Sequence, residues 1–252
     1  MLRRFLATLG FLSRLAPARV IDAADMRRTM FHLPLCGLVI GLAAAAPALC
    51  GLFAGHQFIQ AWTVALLSVY LTRGLHLDGL SDVMDGAGQH TSPERFWAIV
   101  KDSRAGTFGV AAVALVLLGQ TALLAAVFER LAPWTDPLGR LWPLPWVFVF
   151  GRACGVCFGR AGRALTRPGL GGLFIAGADG RAVAWALALA LGPALWLAPL
   201  AALCAVLGAL ILLTPLYRLS RAVAGVNGDF LGASILMGEL AAAAGLVLAA
   251  QP

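Results

Sequence analysis

Between Arg181 and Arg218 the chain runs for 36 residues without a charged side chain. A helix that crosses a bilayer needs about 20 consecutive apolar residues and must satisfy its backbone hydrogen bonds internally. A run of this length therefore points to a membrane fold. The composition agrees: 60% of residues are hydrophobic, the mean hydropathy is +0.86 and only 12% are charged, against about 25% in soluble domains. The pattern predicts an all-α polytopic membrane protein, a single integral membrane domain over 1–252, with about seven transmembrane helices and interfacial helices on the cytoplasmic side. Spans are expected over 33–54, 58–77, 106–128, 141–159, 182–198, 200–217 and 231–249. Gly192-Pro193 and Pro199 divide the uncharged run, which fits either a helical hairpin or one long span with a re-entrant piece.

Leu2, Phe5, Leu6, Leu9 and Leu12 recur at helical spacing beside Arg3 and Arg4. That predicts an amphipathic helix on the membrane surface, not a cleavable leader. Of the 19 Lys and Arg, all but Arg130 and Arg140 fall on the side of the predicted spans that carries the N-terminus. By the positive-inside rule that side is the cytoplasm. The net charge of +7 is then a topology signal, so the lipid bilayer is the expected partner and nucleic acid is not. Five cysteines give no disulfide framework. Cys154 and Cys157 form a CxxC inside an apolar segment with no second pair, which reads as packing.

Against this background one stretch stands out: His76-Leu77-Asp78-Gly79-Leu80-Ser81-Asp82-Val83-Met84-Asp85-Gly86. The chain holds 12 Asp and Glu, and three fall here within eight positions. Steps of four and three put Asp78, Asp82 and Asp85 on one helix face. Carboxylates that close repel one another unless water or a cation intervenes, and an all-oxygen set suits Mg²⁺ or Mn²⁺ completed by a substrate phosphate. An aspartate at the bilayer centre costs about 2.5–3.5 kcal/mol, so the three are expected at the cytoplasmic interface or in a polar cavity. The plain alternative is a solvated acidic loop with turn glycines.

A metal beside phosphate suggests phosphoryl transfer. Lys101, Arg104 and Arg14 lie on the same membrane side and suit phosphate oxygens. Asp102 reads equally as a further ligand or base and as an ordinary ion pair with Arg104. His76 and His90 flank the acids and read as structural before catalytic. Asp229, just before the last span, and Glu239, within it, are functional candidates by default; a helix cap and an interhelix hydrogen bond are their alternatives. Ser92-Pro93-Glu94-Arg95 opens an interfacial helix whose apolar side is Phe96, Trp97, Ile99 and Val100. The glycine- and arginine-rich stretch 160–181 reads first as a flexible basic loop and second as a phosphate cradle.

The residues resemble the cobalamin synthase (adenosylcobinamide-GDP ribazoletransferase) family over essentially the whole chain. The core of the likeness is Gly74-Leu75-His76 through Asp85-Gly86, followed by Lys101-Asp102-Ser103-Arg104-Ala105-Gly106-Thr107-Phe108-Gly109. Phe11-Leu12-Ser13-Arg14-Leu15, Leu33-Pro34-Leu35-Cys36-Gly37, Gly169-Leu170-Gly171-Gly172 with Asp179-Gly180-Arg181, and Asn227-Gly228-Asp229 with Glu239-Leu240 extend it. Phe230 stands where a threonine is expected, and Ala16-Pro17 replaces a more usual Pro-containing pair. The resemblance implies that adenosylcobinamide-GDP and α-ribazole, or its 5′-phosphate, are joined with release of GMP. It implies a Mg²⁺-dependent enzyme of the bacterial inner membrane, with its active site facing the cytoplasm. It would give Asp78, Asp82 and Asp85 the metal, count Asp82, Asp85 and Asp102 as catalytic, and set Lys101, Arg104, Arg14 and Asp229 at the substrate phosphates. Other membrane enzymes of the same pathway, or a second copy of the chain, are the further partners it suggests.

Asp82-Val83-Met84-Asp85-Gly86 also resembles the first half of the CDP-alcohol phosphotransferase motif, but Gln89-His90 breaks it and its later aspartates are missing. A cation transporter would predict matching halves, and no repeat is visible. A structural membrane subunit leaves the acids unexplained.

Overall fold

A computed structural model describes residues 2–17, 22–89, 92–131 and 142–249. Among them the chain forms twelve α-helices: α1 (Leu2–Leu12), α2 (Ala23–Arg27), α3 (Thr29–Leu49), α4 (Gln57–Thr72), α5 (Leu75–Gly88), α6 (Pro93–Val100), α7 (Thr107–Leu131), α8 (Pro143–Ala161), α9 (Leu170–Ala176), α10 (Gly180–Leu197), α11 (Pro199–Ala222) and α12 (Gly228–Ala249). No strand occurs among the described residues; Thr166 and Val226 make one isolated bridge. The all-α polytopic membrane fold is as expected. Five helices are long and apolar enough to cross a membrane: α3, α7, α10, α11 and α12. The bent pair α4–α5 makes a sixth if counted as one span.

The expected span 141–159 corresponds to α8, which carries Arg152 and Arg160 and is not among those five or six. It is buried along nearly its whole length because it forms the axis of the bundle, with α3, α10 and α12 packed around it. The uncharged run is a helical hairpin, broken at Ala198 (φ −154°, ψ 70°) immediately before Pro199.

α12 is the second central helix, in contact with α5, α7, α8 and α11. Its small residues let neighbouring backbones approach, as lipid-solvated bundles require. A Cβ on Gly238 would sit 2.7 Å from that of Cys154, so Cys154 serves packing, and all five cysteines are free.

The span expected over 58–77 ends early. Arg73 (φ 56°) and Gly74 (φ 70°) are both left-handed, and the chain turns by 89° from α4 into α5. Gly74 takes this conformation without strain. The acidic helix is thus not a continuation of the span. It packs against α7 and α12 and is not itself one of the five long apolar helices.

α1 forms as expected. Arg73 holds its last turn, donating to the carbonyl oxygens of Gly10 (3.2 Å), Phe11 (3.2 Å) and Ser13 (2.8 Å). α6 also forms, with the Ser92 side chain accepting from the Arg95 N–H. Its apolar side turns inward, not toward lipid. Phe96 and Trp97 are buried, Phe96 faces Phe230, and Trp97 donates to the Val223 carbonyl at 2.8 Å. Phe230, at the position where a threonine was expected, completes this aromatic cluster.

Candidate active site

Three segments meet at one end of the bundle. The first is α5. The second is the turn before α12, and the third is the glycine-rich stretch before α9. The last is not a flexible loop. The Val226 carbonyl accepts from the Arg167 N–H (2.9 Å), and the Val226 N–H donates to the Leu165 carbonyl (2.8 Å), which staples the two turns side by side. Gly79 lets α5 approach the second segment: a Cβ there would lie 2.7 Å from the Asp229 Cα. Replacing Gly79 would push Asp229 away from Asp78.

Together the segments frame a cleft of about 360 Å³. Asp78, Asn227, Asp229 and the backbone of Gly169–Gly172 line one part of it. Phe11, Met30, Leu33, Phe174, Leu231 and Ile235 form an apolar wall. Asp78 also lines a neighbouring hollow of about 480 Å³ with Arg73 and Ser81. Asn227 donates to Asp229 at 2.6 Å and so fixes that carboxylate. Neither Asn227 nor Arg73 has a role at the site by the sequence alone, though Asn227 opens the Asn227-Gly228-Asp229 motif and Arg73 directly precedes Gly74.

Asp82 is partly buried beside this cleft. Burial first, then the neighbouring charges of Asp78, Asp229 and Asp85, push its carboxyl up to about 7. Four carboxylates therefore crowd one another at the end of the bundle. They do not form a ready-made cage: among the described residues no three His, Cys, Asp or Glu side chains converge as metal ligands.

Asp85 explains part of this. It is buried, and both its oxygens are engaged by backbone, accepting from the N–H groups of Gly106 (2.7 Å) and Gly109 (2.8 Å). These are unpaired donors at the start of α7, where a negative charge also suits the helix dipole. Helical spacing put Asp85 on the metal face; the structure turns it to hold α7. Asp85→Asn should lose about 1.5–3 kcal/mol of stability. Thermal unfolding in detergent should show a lower Tm with little change in divalent-cation affinity; an unchanged Tm with lost affinity would return Asp85 to the metal.

Asp102 and Arg104 take the ion-pair alternative. Arg104 donates to Asp102 through Nε (3.0 Å) and Nη2 (2.7 Å). These bonds and the Arg104 backbone N–H hold the Asp102 carboxyl down to about 2. A carboxylate that acidic is poorly matched to accepting a proton near neutrality. Lys101 and Arg104 are exposed just before α7. Arg14 is exposed too, but its Nε donates to the Tyr70 carbonyl (3.0 Å) and its guanidinium lies over the Tyr70 ring at 4.8 Å. None of these three lines the cleft. His90 lies outside the described residues.

His76 is buried, lines the cleft from below, and its Nε2 has no hydrogen-bond partner. Beneath it lies Glu239, 2% exposed, paired with Arg152, 1% exposed, and accepting from Gln120 Nε2 at 2.9 Å. Arg152 is therefore not one of the cytoplasmic charges counted toward topology; it is the buried partner of Glu239.

Comparison with known proteins bears out the family resemblance. The model of the family described as Cobalamin-5-phosphate synthase matches residues 4–247. An adenosylcobinamide-GDP ribazoletransferase of Nitratidesulfovibrio vulgaris (strain DSM 19637 / Miyazaki F) is 42% identical over 98% of this chain and 96% of its own. Proteins of the same name from Novosphingobium aromaticivorans (33% identical, 93% of this chain and 92% of their own) and Escherichia coli O157:H7 (34%, 95% and 97%) are similar over comparable lengths. No solved structure matches. Family model and relatives span nearly the whole chain, so the chain belongs to the cobalamin-5-phosphate synthase family.

Proposed function

We propose that this protein, a transferase of cobalamin biosynthesis by its family, joins adenosylcobinamide-GDP to α-ribazole or α-ribazole 5′-phosphate at the cytoplasmic end of the bundle. The observation that carries this reading is the crowding of Asp78, Asp82 and Asp229 at the edge of a largely apolar cleft. Carboxylates so placed suit a divalent cation. Mg²⁺ is ordinarily held by one or two protein carboxylates together with waters and substrate phosphates, so a preformed three-ligand cage is not required. When bound, the cation would neutralise charge on the donor diphosphate and on the departing phosphate.

The chain's own residues would do the rest. Asp78, Asp82 and Asp229 would hold the cation and with it the diphosphate. The backbone of Gly169–Gly172 approaches the phosphates closely. The apolar wall takes the flat base of the acceptor and excludes water. The acceptor's 3′-hydroxyl oxygen forms the new bond to the phosphorus on the cobinamide side, the diphosphate bridge bond breaks, and GMP carries away that electron pair. The hydroxyl proton passes to the carboxylate cluster, not to Asp102, whose carboxyl is held too acidic to take it. The positive-inside bias supports a cytoplasmic placement of this end of the bundle, and the bacterial inner membrane is proposed with it.

Purified protein in liposomes, supplied with both substrates and Mg²⁺, should form the joined corrin and release GMP in equal amounts, and chelation should stop both. GMP release without a joined corrin would mean hydrolysis and would refute the transfer.

The raised Asp82 carboxyl gives a pH signature. Its folded value lies above that of an unfolded aspartate, so without a cation the ionised cluster costs stability increasingly as pH rises from about 4 through about 7. Mg²⁺ relieves that cost only where the cluster is ionised. Added Mg²⁺ should therefore raise Tm more at pH 8 than at pH 5; an equal shift at both would point to binding elsewhere.

A further inference from the structure

A second cavity, of about 460 Å³, opens between the start of α1, the α2–α3 junction and the start of α10, and shares no lining residue with the cleft. Arg4, Arg27, Arg28 and Arg181 line it against a single aspartate, Asp179. The Asp179 carboxylate accepts the Ala182 N–H as the cap of α10, and Arg4 is paired with Asp25. Arg27, Arg28 and Arg181 have no carboxylate partner among the described residues. His32 lines the same cavity, is only 5% exposed, and its Nδ1 is buried without a hydrogen-bond partner. A positive-inside surface accounts for exposed arginines. It does not account for a buried ring nitrogen left unpaired among them.

We propose that this cavity is a phosphate site separate from the diphosphate site, and that its occupant is the headgroup of an anionic phospholipid. Guanidinium groups match phosphate oxygens in paired hydrogen bonds, and a turn of the His32 ring would bring its unpaired Nδ1 toward them from the buried side. The surroundings favour a lipid source. α3 and α10, which border the cavity, are both long and apolar enough to span the membrane. Farther along they expose Leu38, Leu42 and Leu187, a surface for acyl chains. Near the cavity Phe31 stacks on Trp185, with ring centroids 5.5 Å apart, as aromatic side chains do at headgroup level. One turn beyond Arg181, the Trp185 Nε1–H is buried without an acceptor.

The test uses the full chain, stripped of lipid in neutral detergent. Native mass spectrometry would follow phosphatidylglycerol against phosphatidylcholine, and thermal shift would follow inorganic phosphate. Wild type would be compared with Arg27→Gln/Arg181→Gln and with an equally charged control, Arg3→Gln/Arg218→Gln, outside the cavity. Phosphatidylglycerol should be retained over phosphatidylcholine by about tenfold or more, with the preference lost in the first pair and kept in the control. Protection by inorganic phosphate that needs Arg27 and Arg181, without a lipid preference, would support the phosphate site and assign it a soluble source. Lipid retention and phosphate protection equal in the first pair and in wild type would overturn it.

Discussion

Asp82→Asn is expected to abolish most of the transfer activity while leaving the fold as stable as before, or more so. Loss of a residue that merely orients a metal ligand costs about 10–100-fold, so loss of a ligand in the cluster should lower kcat by at least about 100-fold. The stability effect runs the other way. The Asp82 carboxyl is pushed up by burial and by Asp78, Asp229 and Asp85, so at pH 8 its ionised form is held against repulsion. A neutral amide of the same shape removes that repulsion, and Tm without added cation should stay level or rise. Steady-state kinetics and thermal unfolding on one preparation separate this from a folding defect. A variant with near wild-type kcat would remove Asp82 from the chemistry.

Glu239→Ala should have the largest effect on stability. It strips the carboxylate paired with the buried Arg152, deep in a bundle where α7, α8 and α12 meet through Gln120, Arg152 and Glu239. Breaking a buried ion pair from one side costs about 3–5 kcal/mol, because the remaining charge is left uncompensated, whereas replacing both partners by apolar residues is often close to neutral. Glu239→Ala should therefore unfold at markedly lower temperature in detergent, and Arg152→Met with Glu239→Leu should recover most of the loss. Equal Tm for Glu239→Ala and wild type would show that the pair is not buried as described.

The helices and their membrane class were legible because hydropathy is a sum over some twenty residues and tolerates local error. The hairpin was legible as one of two choices, which the extended backbone of Ala198 before Pro199 resolves. Details set by single contacts were not. Arg73-Gly74 at the close of an apolar run is a helix-stop signal that marks the turn from α4 into α5. The span expected through residue 77 ran past it because the apolar pattern resumes at Leu75 and Leu77.

Helical spacing placed Asp78, Asp82 and Asp85 together, and they do share a helix. Nothing in that spacing shows that Gly106 and Gly109, more than twenty residues on, bring two N–H groups to Asp85. Arg152 and Glu239 are opposite single charges within two predicted spans, a pairing signal that intramembrane charges carry. Counting Arg152 as a loop charge concealed it.

The most direct test of the carboxylate site is the electron paramagnetic resonance of Mn²⁺ bound to the protein with adenosylcobinamide-GDP present. Bound Mn²⁺ coupled to the donor's phosphorus nuclei is expected in wild type and in Asp85→Asn, and is expected to be lost in Asp78→Asn/Asp82→Asn. Coupled Mn²⁺ that persists in the Asp78→Asn/Asp82→Asn protein would contradict the assignment of the cation and the diphosphate to this end of α5.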